Sequence, residues 1–260
     1  MQKTIGNYRW TICALVFFAT TINYLDRQVI SLLKSVLSDE LHWDDGDYAN
    51  IEIAFKVFYA FGMLGAGRVI DKLGSKIGYA VTTGLWSVAA VCHAFASSVL
   101  GFAVVRSFLG ITEAGNFPAA IKATAEWFPK KERALATGIF NSGSNLGAII
   151  APLTVPFIAV AWGWQWAFIL TGLVGFIWLI LWFIFYEVPA KQKRLSAAEY
   201  EYIHSDKDET AEQEIAGAKI SWGKLLSYKQ TWAFAIGKFL TDPVWWFYLF
   251  WLPDFLESQY

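Results

Sequence analysis

Apolar residues gather along this chain into long runs parted by short polar stretches. Seven runs, at about 10–33, 47–70, 77–97, 99–125, 132–159, 164–186 and 228–257, reach the roughly 17–25 residues that a helix needs to cross a bilayer. The pattern predicts an all-α membrane protein whose partner along most of its length is lipid. It changes character once, over 187–227. There Ser196 and Glu199 form an S-x-x-E capping box ahead of a short polar helix, and an acidic stretch from Asp206 to Glu214 follows. This segment reads as a solvated tether between the sixth and seventh runs.

Composition agrees with the pattern. The chain is 56% hydrophobic and 17% charged, where a soluble domain carries about a quarter charged residues. A net charge of -1 gives no sign of a nucleic-acid partner. The cysteines, Cys13 and Cys92, both fall inside predicted spans, which argues against a disulfide framework. The first run is long and has no small-residue cleavage site, so it reads as a retained helix and not as a signal peptide.

Lysine and arginine alternate with the loops. Lys3 and Arg9, then Arg68, Lys72 and Lys76, then Lys130, Lys131 and Arg133, and finally Lys191, Lys193 and Arg194 mark one side. The intervening loops are acidic (Asp39, Glu40, Asp44, Asp45, Asp47) or uncharged, near Ser97–Ser98 and Ala161–Gln165. The positive-inside rule then places the N-terminus and the 187–227 segment in the cytoplasm.

Against this background four residues stand out. Asp26 and Arg27 interrupt the first run, and Arg106 and Glu113 the fourth. An ionisable group in hydrocarbon costs about 2.5–3.5 kcal/mol on insertion scales, so such residues point to function. On ideal helix geometry Asp26 lies roughly 24 Å from the cytoplasmic end of its helix, and Arg106 roughly 10 Å below the outer end of the fourth. Asp26 and Arg106 therefore fall at similar depth. Glu113 follows Arg106 by seven residues, nearly two turns along the same face, while Asp26 and Arg27 point about 100° apart and each needs its own partner. One reading is a set of static salt bridges between the first and fourth helices. Against it, buried pairs are weak stabilisers.

Other polar positions are less specific. Glu52 and Lys56 read as an i,i+4 pair near the outer surface, and Tyr59 beyond them as a substrate hydrogen-bonder or cavity wall. Asn116 and Asn145 suit either hydroxyl binding or interhelical hydrogen bonding. Gly138, Gly143, Gly147 and Pro152 give the fifth span a small-residue face for close packing. Trp245, Trp246 and Tyr248 in the seventh suit stacking on a sugar ring or an interfacial belt. His42, His93 and His204 are scattered, and neither a metal motif nor a nucleophile–base constellation is present, so no enzyme activity, cofactor or metal is expected.

Several motifs carry a family resemblance. Gly67-Arg-Val-Ile-Asp71-Lys72-Leu-Gly74-Ser-Lys76, between the second and third spans, matches the G-x-x-x-D-[RK]-x-G-x-[RK] signature of the major facilitator superfamily. Asn23-Tyr-Leu-Asp26-Arg27, the stretch from Arg106 to Glu113, Asn116 and Pro118, and Glu126-Trp-Phe-Pro129-Lys-Lys-Glu132-Arg133 resemble its anion:cation symporters. Thr241-Asp242-Pro243-Val-Trp245-Trp246-Phe-Tyr248 is similar to the hexuronate and aldonate branch.

The resemblance implies an N-terminal six-helix bundle, an inverted three-plus-three repeat, over residues 1–186. A cytoplasmic linker over 187–227 and the first helix of a C-terminal bundle over 228–260 would follow, the rest of a second six-helix half lying outside this chain. It implies symport of a small organic anion with protons across a bacterial inner membrane. Asp26 and Glu113 would carry protons, while Arg27, Arg106, Tyr59, Asn116, Trp245 and Tyr248 would meet substrate. Gly67, Asp71, Lys72, Gly74 and Lys76 would belong to the gating interface. Arginine suits the carboxylate because it stays charged and forks onto two oxygens, whereas a carboxylate side chain can load and release a proton. A non-transporting membrane sensor on the same scaffold and an inert transporter fragment are the alternatives.

Overall fold

The computed structural model describes residues 5–206 and 222–259. Lys3, most of the acidic stretch after Asp206 and Tyr260 lie outside them. The chain forms two compact units, Met1–Ser205 and Asp206–Tyr260. Within the described residues both are helical, without strands.

The first unit opens with α1, Tyr8–Leu32, and a short outer helix α2, Lys34–Leu41. Next comes α3, Asp45–Cys92, started by a reciprocal capping box between Asp44 and Asp47. The two spans expected at 47–70 and 77–97 are its two arms. They meet at Gly74, where φ of 76° and ψ of 162° turn the chain through a conformation that suits glycine and strains other residues.

The run expected at 99–125 is broken. It becomes α4, Val99–Glu113, and α5, Asn116–Trp127, separated at Ala114 and Gly115. Pro118 supplies the reason: it has no N–H to bond four residues back, and its ring crowds the carbonyl of residue 114. The break falls directly after Glu113. Two long helices complete the bundle, α6 (Lys130–Trp162) and α7 (Trp164–Phe185), with Gly163 as the turn between them. Among the described residues, three stretches are long and apolar enough to cross a membrane: Asp45–Phe95, Lys130–Trp162 and Trp164–Phe185.

Packing pairs α1 with α6, the first arm of α3 with α4, and the second arm with α7. Of the small-residue face on α6, Gly143 and Gly147 make the contact with α1. A Cβ at either would lie 2.5 Å from a backbone oxygen of Phe17 or Thr21, so only glycine permits this approach. Gly138 takes no part, since nothing stands within 4 Å of the same point there. Buried tryptophans add hydrogen bonds to the packing. Trp178 donates to the Leu15 carbonyl at 2.8 Å, and Trp182 to that of Lys76 at 2.9 Å.

The segment after α7 is not a bare tether. Residues 187–205 belong to the first unit, and helix α8, Ala197–Ile203, buries Glu199 and Ile203. Ser196 accepts from the Glu199 N–H as a capping box requires. The Glu199 carboxylate goes elsewhere: it accepts from the backbone N–H groups of Tyr8 and Arg9, at 3.1 and 3.0 Å, and so caps α1 from 190 residues away.

The second unit contains α9 (Trp222–Leu226), α10 (Lys229–Phe250) and α11 (Leu252–Gln259). The run expected at 228–257 is thus interrupted at Trp251, two residues before Pro253, which cannot continue the hydrogen-bond ladder.

Candidate functional site

Five ionisable side chains from three helices meet inside the first unit. Arg27 comes from α1, Glu52 from the first arm of α3, and Arg106 and Glu113 from α4; Asp26 lies beside them on α1. All five are at most 2% exposed. The seven-residue spacing of Arg106 and Glu113 puts both on the inward face of α4, and the offset of Asp26 from Arg27 sends them to different neighbours.

Arg27 donates through Nε to Glu113 Oε2 at 2.6 Å. Its guanidinium also stacks on aromatic rings, with centroids at 4.6 Å for Tyr59, 4.8 Å for Tyr24 and 5.6 Å for Phe55. Arg106 sits deeper. It donates from Nε and Nη2 to Glu52 Oε1, at 3.2 and 2.9 Å, and from Nη2 to the Arg27 carbonyl at 2.9 Å. Its carbon Cζ stands 4.7 Å from the Phe55 centroid.

Asp26 differs from the other acids. Neither of its carboxylate oxygens makes a hydrogen bond among the described residues. Glu113 and Arg106 lie within electrostatic reach, and the Thr171 hydroxyl stands beside the carboxylate. The Thr171 hydroxyl, however, donates to the Phe168 carbonyl at 3.3 Å. Glu113 likewise leaves Oε1 without a bond. The arrangement holds one acid in an ion pair and keeps a second beside it with the Thr171 hydroxyl near its carboxylate.

Glu52 corrects the sequence reading. It is not near the surface but 1% exposed, and its carboxylate is bonded to Arg106, with Lys56 in electrostatic reach of both. Its signal was the one that marked Asp26, an acid within an apolar span. The i,i+4 spacing to Lys56 masked it. Tyr24 and Phe55 escaped notice because aromatic residues are common in such spans.

The other expected site residues divide. Tyr59 is part of it, as the half-buried ring under Arg27. Asn116 is not: it accepts from the Tyr79 hydroxyl at 2.7 Å and ties α5 to the second arm of α3. Asn145 is exposed on α6, and His93 is buried, with Nδ1 against the Ala89 carbonyl at 2.8 Å and its ring stacked on Phe168. Trp245 and Tyr248 are exposed residues of α10 in the second unit, in which Lys238 pairs with Asp242.

In the Gly67–Lys76 motif, Asp71 pairs with Lys122 of α5 at 2.9 Å, and Lys76 pairs with Glu187 at 2.6 Å. Lys72 is exposed. Gly74 makes the turn, whereas Gly67 brings no helix close, with nothing of the chain within 4 Å of where its Cβ would stand.

Comparisons with known proteins fit this architecture. The chain is 40% identical over 260 residues to a hexuronate transporter of Escherichia coli (strain K12), covering all of this chain and 60% of that protein. It is 38% identical over 257 residues to a galacturonate transporter of Dickeya chrysanthemi, covering 98% of this chain and 74% of that protein. It therefore spans about 60% of the length of the Escherichia coli relative. Among solved structures, a bacterial homologue of the human lysosomal transporter Spinster, inward-facing and unoccupied, superposes with a TM-score of 0.62 at 20% identity, over 71% of this chain and 44% of that one. A proton:xylose symporter superposes with a TM-score of 0.61 at 16% identity, over 80% of this chain and 52% of that one. The family model for the Major Facilitator Superfamily matches residues 16–260. On this evidence the chain belongs to the Major Facilitator Superfamily and carries the N-terminal half of its all-helical membrane fold.

Proposed function

We propose that this chain forms the first half of a proton-coupled sugar-acid importer, with a hexuronate or an aldonate as substrate. The observation that carries the proposal is the buried Arg27–Glu113 pair beside Asp26, whose carboxylate has no cationic partner in hydrogen-bond contact among the described residues. A proton arriving on Glu113 removes the charge that holds Arg27. The guanidinium then turns its fork to the carboxylate of the sugar acid, which replaces Glu113 as counter-ion. Asp26 serves as the neighbouring proton carrier, since no fixed hydrogen bond commits it to one state.

The names of the relatives, a hexuronate and a galacturonate transporter, support the substrate class. The basic loops support a cytoplasmic N-terminus in the inner membrane of a bacterium. Alternating access would rock this half against a second one, with the site between them near the midplane. Trp245 and Tyr248 of α10 would then offer rings to the sugar, and the Gly67–Lys76 motif would work at the gate.

The test is uptake of labelled D-galacturonate by cells expressing the twelve-span transporter that contains this chain, against a proton gradient. Glu113→Gln is expected to abolish uphill, pH-dependent accumulation while leaving exchange of internal for external galacturonate intact. Uphill accumulation by the variant equal to that of the parent removes Glu113 from the proton-carrying role. Loss of exchange together with accumulation, in a folded variant, favours a static tie between α1 and α4.

A further inference from the structure

We infer that Glu52 is a positioning residue that locks Arg106 into the scaffold, so that of the two buried arginines Arg27 takes the substrate carboxylate. The inference rests on the proposed transport of a sugar acid and divides labour within that site.

Arg106 is held through Nε and Nη2 and by an aromatic ring. One oxygen of Glu52 receives two of its N–H groups, the Arg27 carbonyl receives another bond, and the Phe55 ring covers the guanidinium. The surrounding Glu52, Phe55, Phe102 and His93 are themselves at most 1% exposed. A ligand that drew Arg106 away would leave the Glu52 carboxylate charged and unpaired in the interior. That is the costly way to break a buried pair.

Arg27 stands differently. Two of its three rings, Tyr24 and Tyr59, are only half-buried, so the cluster opens toward the surface on its side. Its counter-ion Glu113 can be neutralised by a proton without leaving an orphaned charge. The strut also bears on Arg27 directly, because Arg106 bonds the carbonyl of Arg27 itself and fixes the backbone from which that side chain swings. Glu52 thus acts on substrate through Arg106 and then through α1, and touches no substrate atom.

The experiment measures D-galacturonate binding by calorimetry, with thermal midpoints, on the purified twelve-span transporter containing this chain. Arg106→Gln and Glu52→Gln each orphan one buried charge, and each is expected to weaken binding by about 30-fold or more. The double variant Glu52→Gln/Arg106→Gln removes both charges together. It is expected to bind about tenfold more tightly than either single variant, with its thermal midpoint recovered, whereas Arg27→Gln loses about 100-fold.

A double variant that folds but binds as weakly as Arg106→Gln means that Arg106 itself holds the substrate, and overturns the assignment. If the polar double does not fold, the apolar pair Glu52→Leu/Arg106→Met repeats the test, and failure of both to fold also overturns it, because a strut must be replaceable by matched neutral side chains. A parent protein that binds none of galacturonate, glucuronate and galactonate sinks the transport reading, an outcome distinct from either of these.

Discussion

Two charged regions of the first unit are built on opposite plans. At the end where α1 begins, the carboxylates are saturated. Glu199 accepts from the Tyr8 and Arg9 backbones and from the Arg9 guanidinium, and Glu132 accepts from Arg9 and from the Tyr202 hydroxyl at 2.7 Å. Arg133 alongside donates to the carbonyls of Ala125 and Phe128, at the end of α5. Midway along the bundle the acids are sparsely bonded: Asp26 makes no hydrogen bond among the described residues, and Glu113 uses one oxygen. A carboxylate fixed by three donors is costly to protonate, which suits a joint. A carboxylate with open lone pairs can change protonation without dismantling a network, which suits a carrier.

This contrast can be broken from either side. The largest functional effect is expected at Asp26. Asp26→Asn in the twelve-span transporter should remove uphill accumulation yet change stability by less than about 1 kcal/mol, because no ion pair is lost and an amide can keep the contact with Thr171. Accumulation assays paired with thermal unfolding check both halves. A large loss of stability with transport retained would reverse the roles assigned to the two regions.

Glu199→Gln should show the opposite profile. Weakening a charge-assisted cap and its bond to Arg9 is expected to destabilise the protein by about 1.5–3 kcal/mol. Binding of galacturonate should stay unchanged, as unfolding and binding measurements on the same preparation can establish. If Glu199→Gln altered the pH dependence of transport instead, the joint would be part of the proton path.

A smaller effect is expected at the half-exposed pair of Lys76 and Glu187. The 2.6 Å bond from Lys76, helped by the Val188 N–H, holds the Glu187 carboxyl below its usual pKa. A depressed carboxyl stabilises the folded state above the ordinary carboxylate range and loses that contribution as pH falls through its folded value. The thermal midpoint of the parent should therefore exceed that of Glu187→Gln at neutral pH, and the difference should vanish in acid. A difference that widens in acid would contradict the sign.

How far the sequence carries these regions depends on range. Asp26, Arg27, Arg106 and Glu113 are legible because ionisable residues in apolar runs are costly, and their helical spacing fixes which share a face. Their pairing is not legible, since Arg27 and Glu113 meet across 86 residues and Glu52 and Arg106 across 54. Glu52 was misread for the same reason: a local partner four residues on is visible in a sequence, and a distant one is not. The break after Glu113 was available from Pro118, but an unbroken apolar run spoke for one span. Ser196 and Glu199 form a local motif whose second arm was taken over by the start of α1.

In the proposed mechanism the substrate carboxylate and the Glu113 carboxylate compete for Arg27, so that galacturonate binding at Arg27 requires a proton on Glu113. The most direct measurement is the pH change when D-galacturonate is added to the purified twelve-span transporter in weakly buffered solution. About one proton should be taken up per substrate bound near neutral pH, by linkage, with little or no uptake in Glu113→Gln. Binding of galacturonate with no proton uptake by the parent, or with the same uptake in Glu113→Gln, would contradict it.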